Sequence, residues 1–213
     1  MNDNSICFVL GAGDKSLFPP EPKENDIVIS ADAGFIYACE IGLVSDYVIG
    51  DFDSLEQIPS HDNLIILNTE KDETDMLAAI KLGLSIDKKI FHIYGSLDGR
   101  FDHSLANIGC LEFLLDNGAN GILFGKDYAL TLIRNSSLTF DRTFSGTISV
   151  FAWDKEAEGV NLRGLKFPLT DAKITRNFPI GVSNKFMGRE STVQVKHGTV
   201  LVIFPLIKST LPY

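Results

Sequence analysis

Two aspartates two residues apart, in Gly50-Asp51-Phe52-Asp53-Ser54, have the types and spacing best suited to chemistry in this sequence. They follow the apolar run Tyr47-Val48-Ile49. If the chain stays extended across them, both carboxylates project to one side of the strand. Held side by side, they repel unless a cation or a proton lies between them. The glycine ahead of them allows a sharp turn or the close approach of a ligand. This chemistry is that of a hard-cation site, magnesium above all, at the end of a buried strand. An acidic surface turn is the alternative, because Asp and Ser are common turn formers.

The elements that position this pair follow from hydrophobic patterning. Short apolar runs at 6–10, 27–30, 47–49, 64–67, 90–94 and 122–124 read as strands buried on both faces. Helices are expected at 33–41, 74–84 and 102–116. The last carries Leu105, Ile108, Leu111 or Glu112, and Leu115 at helical spacing, and stops at Asn117-Gly118. The alternation predicts an open α/β fold with a mostly parallel sheet and flanking helices. Four of the runs lead into aspartate-bearing loops, which a parallel sheet gathers on one edge. Asp32, Asp51, Asp53, Asp75 and Asp102 are thereby expected at one crevice, where their charge needs cations to offset it.

Simpler roles compete at several of these positions. Thr74 could be a helix N-cap, Asp75 a first-turn acid, and Asp102 a second cap. Arg100 suits phosphate oxygens, or a surface ion pair with Asp98 or Asp102. Lys71 is a further phosphate contact or a solvated charge. His103 could carry a proton or serve the helix start. Gly11-Ala12-Gly13 could approach a ligand, although a third glycine and a P-loop are both lacking.

After about Asp127 the helical period gives way to alternating runs at 130–133, 137–140, 147–152, 160–162, 165–167, 193–195 and 200–204. They predict a C-terminal antiparallel β-sandwich, with His197-Gly198 turning a hairpin. The expected domains are 1–130 and 131–213. The 213 residues are 45% hydrophobic and 22% charged, ordinary for a globular protein. A net charge of −9 argues against nucleic-acid binding, though a metal can still bridge a polyphosphate to the chain. No apolar run is long enough to span a bilayer and no secretory signal is evident, so no membrane association and a cytoplasmic address are expected. Cys7, Cys39 and Cys110 read as buried free thiols.

Gly50-Asp51-Phe52-Asp53-Ser54, Lys71-Asp72-Glu73-Thr74-Asp75 and Gly99-Arg100-Phe101-Asp102-His103, in that order, resemble the motifs of the thiamine pyrophosphokinases. Ala31-Asp32-Ala33-Gly34 and Gly181-Val182-Ser183-Asn184-Lys185-Phe186 are similar to segments of the bacterial members. The resemblance implies a catalytic ATP-binding domain, then a β-sandwich that binds thiamine and dimerises. It implies a homodimer that moves the terminal diphosphate of ATP to the hydroxyl of thiamine, with magnesium, and releases AMP. Asp51, Asp53 and Asp75 would hold the metal and, with Arg100 and Asp102, form the catalytic set. Lys71, Thr74, Asp75, Gly99, Arg100 and Asp102 would bind ATP. Asp32, Ser183, Asn184 and Phe186 would serve thiamine, the phenylalanine by stacking. Ala33-Gly34 and Asp98-Gly99 depart from the family's paired glycines, and Asp98 adds negative charge to the phosphate loop. A metal-dependent phosphohydrolase and a non-catalytic thiamine or nucleotide sensor are the rival expectations.

Overall fold

A computed structural model describes residues 5–13, 19–53, 55, 57–70 and 72–206. The chain forms two compact units, Met1–Lys126 and Asp127–Tyr213. In the first, the apolar runs become six strands: β1 (Ile6–Leu10), β2 (Ile27–Ala31), β3 (Tyr47–Gly50), β4 (Leu64–Ile66), β5 (Ile90–Tyr94) and β6 (Asn120–Phe124). Three helices join them, α1 (Gly34–Glu40), α2 (Asp75–Ser85) and α3 (Phe101–Asp116). Every pairing among the six strands is parallel, in the order β6-β5-β1-β2-β3-β4. The chain runs outward from β1 to β4 and then returns to place β5 on the other side of β1, so the order reverses there. The β1–β5 register runs flush from Ile6↔Ile90 to Leu10↔Tyr94, which brings the next residues, Gly11 and Gly95, face to face.

The carboxylates at the opposite edge of the sheet have structural work. Asp26 accepts the Ile6 N–H at 2.6 Å, and Asp46 accepts the Val28 N–H at 2.7 Å. Both satisfy strand-end donors that would otherwise be orphaned. At the far end of the chain's first unit, the buried face of α3 is Asn107, Cys110, Leu111 and Leu114, rotated from the expected stripe. Leu105, expected inside, is exposed. A buried amide stands where a purely hydrophobic pattern would not put one, which is why periodicity misplaced the face.

His92, in mid β5, is 1% exposed and lies edge-on to Phe8 and near Phe124, with ring centroids 5.7 and 5.4 Å away. Burial lowers its pKa from the ordinary 6.5 to about 4, with Asp26 acting weakly the other way. Below pH 6.5 the unfolded chain takes a proton that the folded chain refuses, so stability falls as pH drops to about 4. The loss attributable to this side chain is on the order of 3 kcal/mol. Urea titrations at neutral and acid pH should show a shallower loss for His92→Leu than for the parent. Equal losses would contradict the assignment.

The second unit holds β7 (Tyr128–Arg134), β8 (Ser137–Phe140), β9 (Thr147–Ala152), β10 (Glu156–Arg163), β11 (Leu169–Thr175), β12 (Gly181–Lys185), β13 (Ser191–Gln194) and β14 (Thr199–Pro205). They form antiparallel sheets in the orders β12-β9-β14-β7 and β11-β10-β13-β8. Phe140 of one sheet meets Phe204 of the other at 5.2 Å, with Phe144 and Phe186 beside them. This is the predicted sandwich. The hairpin expected at His197-Gly198 is not present: β13 pairs with β8 and β10, whereas β14 pairs with β7 and β9. The tight connection crosses between sheets and is tied to the neighbouring crossing at Asn135-Ser136, with Gly198 N–H on Asn135 Oδ1 at 2.9 Å. Strands β11 and β12 were not expected. Their outward faces are largely polar and give almost no alternation to read.

Candidate active site

Where the strand order reverses, the β1 and β5 loops lock together through backbone. Gly11 N–H donates to Tyr94 O at 2.8 Å and Gly13 N–H to Gly95 O at 2.7 Å. A Cβ on Gly11 would fall 2.6 Å from Gly95 O, and one on Gly95 would fall 2.3 Å from Gly11 O. Only glycine permits this approach, and Gly95 also sits at φ +59°. The loops floor a crevice of about 750 Å³, a size ordinary for a small-molecule site.

Asp32, Asp51, Asp53, Thr74, Asp75, Gly99 and Arg100 all line that crevice. Gly50 makes room for Asp32, since a Cβ there would lie 2.9 Å from Asp32 Cα. The extended geometry expected for Asp51 and Asp53 does not hold. Strand β3 ends at Gly50 and the chain turns left-handed at Phe52, φ +56°. Asp53 N–H then closes on Asp51 Oδ1 at 3.3 Å. Both aspartates nevertheless reach the crevice.

Thr74 is the N-cap of α2, its hydroxyl accepting Leu77 N–H at 3.2 Å, and Asp75 follows in the first turn. The capping role and the crevice position coexist. Arg100 occupies the N-cap position of α3 and clamps Asp102 with two hydrogen bonds, at 2.6 and 3.2 Å. Hydrogen bonding to the guanidinium holds the Asp102 carboxyl below the usual range. Both side chains are largely exposed, so the pair adds little to stability. Asp102 itself does not line the crevice. His103 does, while its backbone N–H donates to Asp102. Asp98 turns away and accepts the Lys126 N–H at 2.9 Å, so its charge is not delivered to the crevice lining. Lys71 and Ser54 lie outside the described residues.

Ser183, Asn184 and Phe186 belong to the second unit. Ser183 is exposed at a bulge in β12, at φ +57°, and its N–H donates to Ser149 Oγ. Asn184 is buried and spends its amide on Phe167, accepting from its N–H at 2.9 Å and donating to its carbonyl at 2.6 Å. Phe186 is 7% exposed and packs on Phe140 and Phe144, so its ring is engaged in the core rather than open for stacking.

Sequence reasoning missed Ser96 and Asn107. Both line the crevice, and Asn107 Nδ2 holds the β5 loop through Ser96 O at 2.7 Å. A lone amide among apolar residues at helical spacing was the available signal.

Among the described residues, no three His, Cys, Asp or Glu side chains form a ready metal cage. The donor set does fit magnesium, which prefers oxygen and completes its shell with water and substrate phosphates around one or two carboxylates. A parallel sheet with a glycine-floored acidic crevice at its reversal point, followed by an antiparallel sandwich, places the chain among two-domain α/β ligand-binding proteins.

Comparison with known proteins narrows that class. Residues 19–123 match the catalytic-domain model of thiamin pyrophosphokinase, and residues 135–200 match its vitamin B1 binding-domain model. The chain belongs to the thiamine pyrophosphokinase family. A thiamine pyrophosphokinase of Bacillus subtilis is 24% identical over 205 residues, covering 92% of this chain and 96% of the relative. The crystal structure of the Bacillus subtilis enzyme matches at a TM-score of 0.85 and 22% identity, over 95% of this chain and all of that one. The structure from Geobacillus thermodenitrificans matches at 0.80 and 23%, over 97% of this chain and all of that one.

Proposed function

We infer that the chain is an ATP-dependent diphosphotransferase that makes thiamine diphosphate and AMP from thiamine and ATP. The observation carrying this reading is the acidic crevice at the sheet's reversal point, present in a chain of this family. Thiamine's primary hydroxyl attacks the β-phosphorus of ATP, the bond from that phosphorus to the oxygen of the α-phosphate breaks, and AMP leaves. Transfers of this kind depend mainly on positioning and on neutralising charge.

Asp51, Asp53 and Asp75 are the residues that would hold magnesium, which supplies charge neutralisation on the transferring phosphates. Arg100 lines the crevice, and a phosphate would compete with Asp102 for its planar fork. Thr74, Gly99 and Lys71 complete the nucleotide contacts. A strong base is not required when the transition state is loose, and one carboxylate, Asp75 or Asp102, takes the hydroxyl proton as transfer proceeds. Asp32 serves thiamine in the first unit's crevice, and Ser183 belongs to the second unit's thiamine-binding segment, which Asn184 and Phe186 shape from within.

A homodimer is part of this reading. Phe178, Ile180, Val182 and Met187 expose apolar surface on and beside the edge strand β12, as an interface would. No helix among the described residues is long and apolar enough to cross a membrane. The functional test is to incubate the protein with ATP and magnesium, with and without thiamine, and resolve the nucleotides. AMP formed only with thiamine is expected. Phosphate released regardless of thiamine would replace this reading with a phosphohydrolase.

A further inference from the structure

We propose that Phe52 is a positioning residue whose buried ring anchors the turn that carries Asp51 and Asp53 to the crevice. The inference rests on the reading of those two aspartates as magnesium ligands.

Phe52 is 3% exposed yet has φ +56°. For a bulky side chain this is a strained conformation that the surroundings must enforce. Of the other described non-glycine residues at positive φ, Asn25, Asp32, Asp87, Asp98, Asn135 and Asp171 are of the types that tolerate it, and Ser183 is small. Phe52 is the aromatic among them, and it stands between two crevice-lining carboxylates. Glycine would take this conformation without strain, so the phenyl ring stands here against the local preference.

Burial of the ring supplies what the conformation costs. In an extended strand, a buried residue 52 would send both neighbours to the opposite face. The left-handed turn instead bends the chain at the ring. Asp53 N–H closes on Asp51 Oδ1 at 3.3 Å, and Leu55 N–H closes on Phe52 O at 3.1 Å. With the ring fixed inside, the two flanking carboxylates have little freedom to swing away from the crevice. Without it, the loop would keep its acids but lose their placement. Phe52 touches no reacting atom and acts only through Asp51 and Asp53.

The test uses the full chain and an ATP analogue with a methylene bridge between the α- and β-phosphorus, which blocks transfer. Calorimetry gives the factor by which magnesium tightens analogue binding. Phe52→Ala and Phe52→Gly are expected to reduce that factor by roughly 10- to 100-fold, as loss of support behind metal ligands does elsewhere. Phe52→Leu, which keeps an apolar anchor, is expected to stay within about threefold of the parent. Phe52→Gly separates loss of the ring's anchorage from strain in the turn, because glycine adopts the left-handed conformation without penalty. A lowered melting temperature with an undiminished magnesium factor in Phe52→Gly would overturn the proposal and leave the ring a core residue only. If the parent itself shows no tightening by magnesium, and Asp51→Asn binds like the parent, the metal reading fails and this inference fails with it. A normal parent beside unaffected Phe52 variants sinks this inference alone.

Discussion

Asp51→Asn is expected to cut thiamine-dependent AMP formation by roughly 10²–10³-fold, the scale set by several kcal/mol of lost charge stabilisation. The substitution is close to isosteric. Its amide oxygen can still accept the Asp53 N–H, which Asp51 Oδ1 accepts now. Asp51 is only half-buried, so the fold has little reason to respond. The melting temperature should stay within about 2 °C of the parent, as for most substitutions away from the core. The magnesium concentration for half-maximal rate should rise, because one hard anionic ligand has become a neutral one. Full activity at the parent's magnesium requirement would remove Asp51 from the metal site. Loss of activity together with melting would mean instead that the residue is structural.

Gly95→Ala should damage both stability and nucleotide binding. The new Cβ would stand 2.3 Å from Gly11 O, a backbone atom that cannot rotate aside, at a φ of +59° unfavourable to alanine. The cost is on the order of 3 kcal/mol, or about 6–12 °C in melting temperature for a chain of this size. Relief requires the β1 and β5 loops to part, breaking the Gly13 N–H to Gly95 O bond that sets the crevice floor. The KM for ATP should therefore rise by about tenfold or more at temperatures where the variant remains folded. Gly118→Ala is the matched control. Gly118 has φ +66° and open space around its Cβ position, just after α3. It should lose about 1 kcal/mol of stability from backbone strain alone and keep its kinetics. Equal kinetic effects in the two variants would contradict a specific role for the β1–β5 contact.

Much of the first unit could be read from residues. Runs such as Cys7-Phe8-Val9-Leu10, continuous in apolar character, announce strands covered on both faces, and the parallel pairing of β2 with β3 and of β5 with β6 follows from the helix between each pair. Once the strands are parallel, aspartates after four of them must share an edge, and those at 32, 51, 53 and 75 do line one crevice. What pattern could not supply was backbone conformation. Nothing in Gly-Asp-Phe-Asp announces a left-handed phenylalanine, because local propensity argues against that conformation for a bulky residue and its burial is not written in the neighbouring sequence. Asn107 was hidden for a related reason: a polar residue is assigned to the outside of a helix unless its partner, here Ser96 O, is already known. In the second unit the period of two identified strands but not their sheet. A tight connection such as His197-Gly198 serves a hairpin or a crossing equally well, and only the register of both flanking strands distinguishes them. The polar, partly exposed β11 and β12 left no periodic trace. The substrates were not legible in the carboxylates at all and came from the family resemblance, since a metal–phosphate crevice serves many phosphoryl acceptors.

The fate of the γ-phosphorus of ATP tests the central claim most directly. With ATP labelled at that position, magnesium and thiamine, the label should appear in thiamine diphosphate, in step with AMP and only when thiamine is present. Label recovered as free phosphate at the same rate with or without thiamine would contradict diphosphate transfer by this chain.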